Sequence, residues 1–156
     1  MSEYLLGIDN GNTISKAAIF DLQGREIQVT SRQVKSNFPH KGWTERSMDE
    51  LWQSTAATIK DALSKSGIKP EHIIGIGTTG HGTGLYLIDQ EGRPARAGIQ
   101  SLDTRAADIV DSWNRKNLHD QVFPLTTQAF WPAQPNALLA WIKQNEPQVY
   151  GRIGAV

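Results

Sequence analysis

An acid closing an apolar run, followed by glycine and small polar residues, can hold phosphate and a divalent metal. Residues 7–16 carry that pattern: Gly7-Ile8-Asp9-Asn10-Gly11-Asn12-Thr13-Ile14-Ser15-Lys16. Tyr4-Leu5-Leu6-Gly7-Ile8 reads as a buried strand, and Ala17-Ala18-Ile19-Phe20 as a second one. In a tight turn between them, backbone N–H groups can point at anionic oxygens. Asp9 suits Mg²⁺, which prefers carboxylate, water and phosphate oxygen. Thr13 and Lys16 add to the phosphate reading. An ordinary hairpin turn competes with it, because Asn-Gly is a preferred hairpin dipeptide.

A second glycine cluster raises other chemistry. Gly75-Ile76-Gly77-Thr78-Thr79-Gly80 has the spacing of a dinucleotide fingerprint, and Asp103 lies about twenty residues on, where a ribose-binding acid would sit. A nicotinamide-dependent protein would need a helix over residues 81–90. The apolar run Leu85-Tyr86-Leu87-Ile88 predicts a strand there instead. Gly80-His81-Gly82-Thr83-Gly84 alternates glycine with polar side chains, which suits a loop offering groups to a hydroxylated substrate. The plain alternative is a surface loop with His81 solvated. Ser101-Leu102-Asp103-Thr104-Arg105 opens a helix, where Asp103 is favourable on electrostatic grounds alone and Arg105 is a surface charge or its partner. Of the tryptophans, only Trp43 and Trp131 fall in loops where ligand stacking is open to them.

The elements that must position these residues follow from periodicity. Runs at 4–9, 15–21 and 26–34 predict strands, the last two joined by Gln23-Gly24-Arg25. Asn37 to Trp43 predicts a loop. A helix opens at Ser47 and Glu50, which fit a capping box, and stops at Gly67. Strands are expected at His72–Gly77 and Leu85–Asp89, and helices from Leu102 to about Lys116 and from Pro135 to before Pro147. The apolar end, Arg152-Ile153-Gly154-Ala155-Val156, predicts the start of another strand, so the chain is expected to end inside a domain. The fold class is α/β, a mixed sheet with flanking helices.

Composition narrows the function. The 156 residues suffice for one domain with a real core. Sixteen basic and sixteen acidic side chains cancel with no basic block, so nucleic acid is not an expected partner. No apolar stretch is long enough to span a bilayer, and Met1-Ser2-Glu3-Tyr4 lacks the basic start of a signal peptide, so no membrane is expected. With no cysteine there is no disulfide or thiol chemistry, and a cytoplasmic location is expected. The four histidines lack the spacing of a zinc site.

Taken together and in this order, the motifs resemble the FGGY carbohydrate kinases of the actin-like ATPase superfamily. The blocks are Gly7–Lys16; Gly42-Trp43-Thr44-Glu45-Arg46 with Glu50-Leu51-Trp52; Ile74–Gly84; and Ser101–Ala106. Pro124–Gln128, Leu138–Lys143 and Asn145–Pro147 are similar to the branch that takes a ketopentose such as xylulose, as is Ser101 where many relatives carry tryptophan. His81 stands where relatives usually carry glutamine. The resemblance implies an actin-like, ribonuclease H-like fold. It also implies transfer of the γ-phosphoryl group of Mg-ATP to a sugar hydroxyl, a reaction governed by positioning and charge neutralisation. Asp9 would hold Mg²⁺. Gly11, Asn12, Thr13 and Lys16 would meet the ATP phosphates, and His81, Gly82, Thr83, Asp103 and Arg105 the sugar. The expected partners are ATP and a ketopentose or polyol, with homodimerisation left open. The resemblance puts the catalytic base, an aspartate, beyond Val156, so residues 1–156 are expected to be the sugar-side first part of an N-terminal domain, without the second domain and inactive alone. A non-catalytic remnant or sugar-binding module of the same fold is the alternative.

Overall fold

The computed structural model describes residues Ser2–Val156. In chain order the elements are β1 (Tyr4–Asn10), β2 (Ile14–Asp21), β3 (Glu26–Gln33), β4 (Glu45–Arg46), α1 (Met48–Ser66), β5 (Ile73–Gly80), β6 (Gly98–Ile99), α2 (Ala107–Arg115), α3 (Leu118–Thr126), α4 (Pro135–Asn145) and α5 (Pro147–Tyr150). They form two compact units. One holds the residues up to Lys35 with Asp49–His81, and the other holds Ser36–Met48 with Gly82–Val156.

The first unit is a four-stranded mixed sheet in the order β3-β2-β1-β5. Strands β1, β2 and β3 run antiparallel in turn, while β1 and β5 are parallel. Parallel pairing demands a crossover, and α1 supplies it. Alternation along β2 decides the packing: Ser15, Ala17, Ile19 and Asp21 are buried, while Ile14 and Lys16 point outward. Ala17 and Ile19 meet Leu6 of β1 and Ala62 of α1, with Ile59 and Leu63 beside them. The Thr30 hydroxyl donates to the Thr58 carbonyl at 2.8 Å, hooking β3 to the helix. Asp49 and Glu50 in the first turn of α1 and Lys65 in its last complement the helix dipole. Gly67, at φ +68°, ends the helix as the sequence predicts.

The opposite face of this sheet is built from small residues. Gly7, Ala18 and Gly77, bordered by Phe20 and Val29, leave a concavity of about 620 Å³. Among the described residues β5 pairs with β1 alone, and its Ile74 and Ile76 are exposed.

The second unit packs α2, α4 and α5 around Leu85, Leu87, Ile99, Val110, Leu138 and Ile142, with β4 and β6 forming a short antiparallel pair. Burial pushes the Tyr86 phenol up, opposed by the charge of Arg46, whose guanidinium burial in turn pushes down.

Three expectations are corrected here, and one helix is added. Leu85–Asp89 is not a strand. It makes isolated bridges, Leu85 with Ile99 and Ile88 with Pro94 and Ala155, and its apolar character reflects core burial rather than sheet pairing. The C-terminal segment accordingly gives one bridge, through Ala155, and no strand. The helix expected from Leu102 starts at Ala107, because Asp103 Oδ1 accepts the Arg105 N–H at 2.9 Å and the Thr104 N–H donates to the Gly42 carbonyl at 2.8 Å. The sequence reading misses α3, which keeps its helical path through Pro124. The Gly75–Gly80 motif lies wholly inside β5 and no helix follows over residues 81–90, so the dinucleotide reading lacks the helix it needs.

Candidate functional site

In the first unit, the turn after β1 has the predicted strand-turn-strand form. The Gly11 N–H donates to the Ile14 carbonyl at 2.9 Å and closes the turn. That amide fixes the turn's shape in the ligand-free chain. The Thr13 carbonyl accepts the Val34 N–H at 2.9 Å, while its side chain lies on an exposed residue. Asn12 is half-buried. Asp9 and Lys16 are directly opposed across β1 and β2, and both line the small-residue concavity. Facing cross-strand side chains lie within reach of each other, so a carboxylate and an ammonium share one edge of this hollow.

That pairing suits a metal-bound polyphosphate better than a bare metal. Among the described residues, no cluster of three or more His, Cys, Asp or Glu side chains could hold an ion by itself. Mg²⁺ keeps several waters and is held by one or two carboxylates plus substrate phosphate, which a lone acid at a strand end can serve. The donor set fits such a group: Asp9 would supply a metal-side oxygen and Lys16 a phosphate-side charge.

His81 follows β5 at the same sheet edge. Its N–H donates to the Asn10 carbonyl at 3.2 Å, and its Nδ1 lies 3.2 Å from the same oxygen. A carbonyl only accepts, so in this contact Nδ1 carries the proton.

The remaining expected residues belong to the second unit, whose longer segment runs from Gly82 to Val156. Gly82 and Thr83 are exposed, and Thr83 sits at φ 61°, where a β-branched residue is strained. Asp103 and Arg105 come together as the sequence allows, but inward. Arg105 Nη2 donates to Asp103 Oδ2 at 2.8 Å and Nε donates to Oδ1 at 2.9 Å, with both side chains 0% exposed. Glu45 Oε1 pairs with Arg105 Nη2 at 2.8 Å and also with Arg96. Asp103 Oδ2 accepts the Thr44 N–H at 2.7 Å. The Trp43 ring covers the guanidinium at 4.0 Å, and Trp141 flanks it at 5.2 Å. Trp43, expected as a loop residue open to a ligand, is thus occupied with a cation and a second ring. A Cβ at Gly42 would lie 2.3 Å from Thr104 Oγ1, so only glycine lets this loop close on the pair.

Sequence reasoning missed Asn10, Glu45, Arg96 and Trp141. Their partners lie far apart along the chain, and only tertiary structure joins them.

A mixed sheet of this order, with an acid and a small-residue turn at the end of β1, defines an α/β domain of the actin-like ATPase fold. The sequence model of the FGGY family of carbohydrate kinases, N-terminal domain, matches residues 4–156, and the chain belongs to that family. It is 40% identical over 153 residues to the probable L-xylulose kinase of Pasteurella multocida, covering 98% of this chain and 32% of that protein. It is also 40% identical over 156 residues to the L-xylulose/3-keto-L-gulonate kinase of Escherichia coli, covering 100% of this chain and 31% of the relative. Among solved structures, a xylulose kinase from Rhodospirillum rubrum superposes with TM-score 0.90 at 27% identity, over 98% of this chain and 31% of that one. The chain therefore spans about a third of the length of the proteins it matches.

Proposed function

We propose that this chain is the sugar-side first part of the N-terminal domain of an ATP-dependent kinase. The reaction transfers the γ-phosphoryl group of Mg-ATP to a hydroxyl of a ketopentose such as xylulose. The observation that carries the reading is the opposition of Asp9 and Lys16 beside the Gly11–Thr13 turn. Mg-ATP supplies the phosphoryl group and the charge-neutralising cation. The residues of this chain would bind and orient: Asp9 towards the metal, Lys16, Asn12 and Thr13 towards phosphate, and His81, Gly82 and Thr83 towards the sugar. The Nδ1 contact to the Asn10 carbonyl would fix the orientation of the His81 ring. Asp103 and Arg105, both buried, would act on the sugar side by shaping the backbone around residues 42–44.

A titration of the ¹⁵N-labelled chain with Mg-ATP tests this. Amide shifts centred on residues 11–16 that require Mg²⁺ are the expected result. Shifts absent there, or unchanged by EDTA, overturn it. In a coupled ADP-release assay over ketopentoses and polyols, the chain alone is expected to show no turnover. Ordinary kinase rates would defeat the proposal that the base lies outside it.

A further inference from the structure

Resting on the phosphate reading of the turn, we infer that Asn10 is the positioning residue that sets it, through a polar clasp reaching from the turn to α1. Asn10 ends β1 and faces Ser15 across the ladder to β2 and Gly80 across the ladder to β5. Alternation puts Asp9 on the open face of the sheet and turns Asn10 towards α1. There its Oδ1 accepts the Ser15 hydroxyl, and it accepts the Thr55 hydroxyl at 3.1 Å. The two hydroxyls lie 3.2 Å apart, and Ser15 is completely buried. The single Thr55 hydroxyl proton is shared between Asn10 Oδ1 and the Leu51 carbonyl, which lies 2.8 Å away, so the clasp is tied into the first half of α1.

The Asn10 backbone closes the other side. Its carbonyl accepts the His81 N–H at 3.2 Å. A Cβ at Gly80 would lie 2.8 Å from that oxygen, closer than atoms can come, so glycine is required for β5 to approach. One residue therefore holds β2, α1 and the end of β5 to the start of the turn. Gly11 follows it directly. A network of this kind, buried at Ser15 and Thr55 and half-buried at Asn10, favours one geometry, and loss of a member leaves the remaining polar groups short of a partner. The clasp touches neither metal nor phosphate, since it lies on the α1 face while Asp9 and Lys16 lie on the other. Its effect on ligands is transmitted through the turn's shape.

Thr55→Val tests this without altering any group the ligand could meet, because valine keeps the shape and removes only the hydroxyl. Thr55→Ser restores the hydroxyl. Amide hydrogen exchange on the free chain should rise about five-fold at Gly11 and His81 in Thr55→Val, the scale of one hydrogen bond of ordinary net worth. It should return to the parental rate in Thr55→Ser, with Leu6 and Ile19 unchanged in all three. Titration with Mg-tripolyphosphate should show affinity about five-fold weaker in Thr55→Val and parental in Thr55→Ser. Parental exchange at Gly11 and His81 in Thr55→Val overturns the clasp, as does equal loosening at Leu6 and Ile19. If exchange behaves as expected but the parental chain binds no tripolyphosphate, the clasp stands and the phosphate reading of the turn falls.

Discussion

Arg105 and Asp103 form a two-point ion pair sealed from solvent, with the Trp43 ring 4.0 Å above the guanidinium. Removing one partner of such a pair strands a buried charge, which costs more than the pair is worth against an apolar replacement. Asp103→Asn is expected to lower the stability of the second unit by about 3 kcal/mol, the lower end for buried pairs because Glu45 still faces Arg105. Urea denaturation followed by tryptophan fluorescence measures it. A loss below about 0.5 kcal/mol, the scale of an ordinary surface change, would sink the argument.

Asp21 and Asp89 make two copies of one turn. Asp21 accepts the N–H groups of Gln23 and Arg25 and the Arg25 Nε, and Asp89 accepts those of Glu91 and Arg93 and the Arg93 Nε. The backbone N–H of Arg25 leads in holding the Asp21 carboxyl below its ordinary range, and the N–H of Arg93 does the same for Asp89. A depressed folded-state pKa means stabilisation that is present above the unfolded value and lost as pH falls through the folded one. Asp21→Asn and Asp89→Asn should therefore lower Tm at pH 7, with the gap to the parent shrinking as pH falls below the ordinary carboxylate range. A Tm difference that does not shrink as the carboxylates are protonated would contradict the assignment.

Thr83 holds a left-handed backbone at φ 61°. Thr83→Gly should raise stability by about 0.5 kcal/mol, since the strain relieved slightly exceeds the chain entropy that glycine adds to the unfolded state. If Thr83 meets the sugar as proposed, the same change costs affinity for it. Differential scanning calorimetry checks the first part, and a stability loss would show that the hydroxyl contributes more than the strain costs.

Asp9→Asn is expected to leave Tm within about 1 °C, because its carboxylate is only half-buried and, among the described residues, is not seen to make a hydrogen bond or ion pair. It should weaken Mg-tripolyphosphate about tenfold, or about 1.4 kcal/mol, and abolish the difference made by EDTA. Calorimetric titration with and without Mg²⁺ reads this. Unchanged Mg²⁺ dependence would move the metal away from Asp9.

The first unit was legible because its signals are local. Alternation along Ile14–Asp21, the stop at Gly67 and the turn at Gly11 each depend on neighbours within a few residues. The second unit was less so. Leu85 and Leu87 are apolar because they fill a core between helices, and period alone does not separate that from a strand. Asp103 looked like a helix opener, yet its carboxylate is drawn away by the Thr44 N–H, far back in the chain. Asn10 sat in plain view inside the motif, but its use depends on Thr55.

The division of the chain carries a consequence for synthesis. Strand β5 completes the first unit when His81 leaves the ribosome, so that unit can close early. Residues 36–48 are made before that point but belong to the other unit. Trp43 must wait for Arg105 and then for Trp141, on the order of ten seconds at ordinary elongation rates. During that interval the Trp43 ring has His40 of its own segment to pack against, but not yet the guanidinium and second ring that cover it in the finished unit.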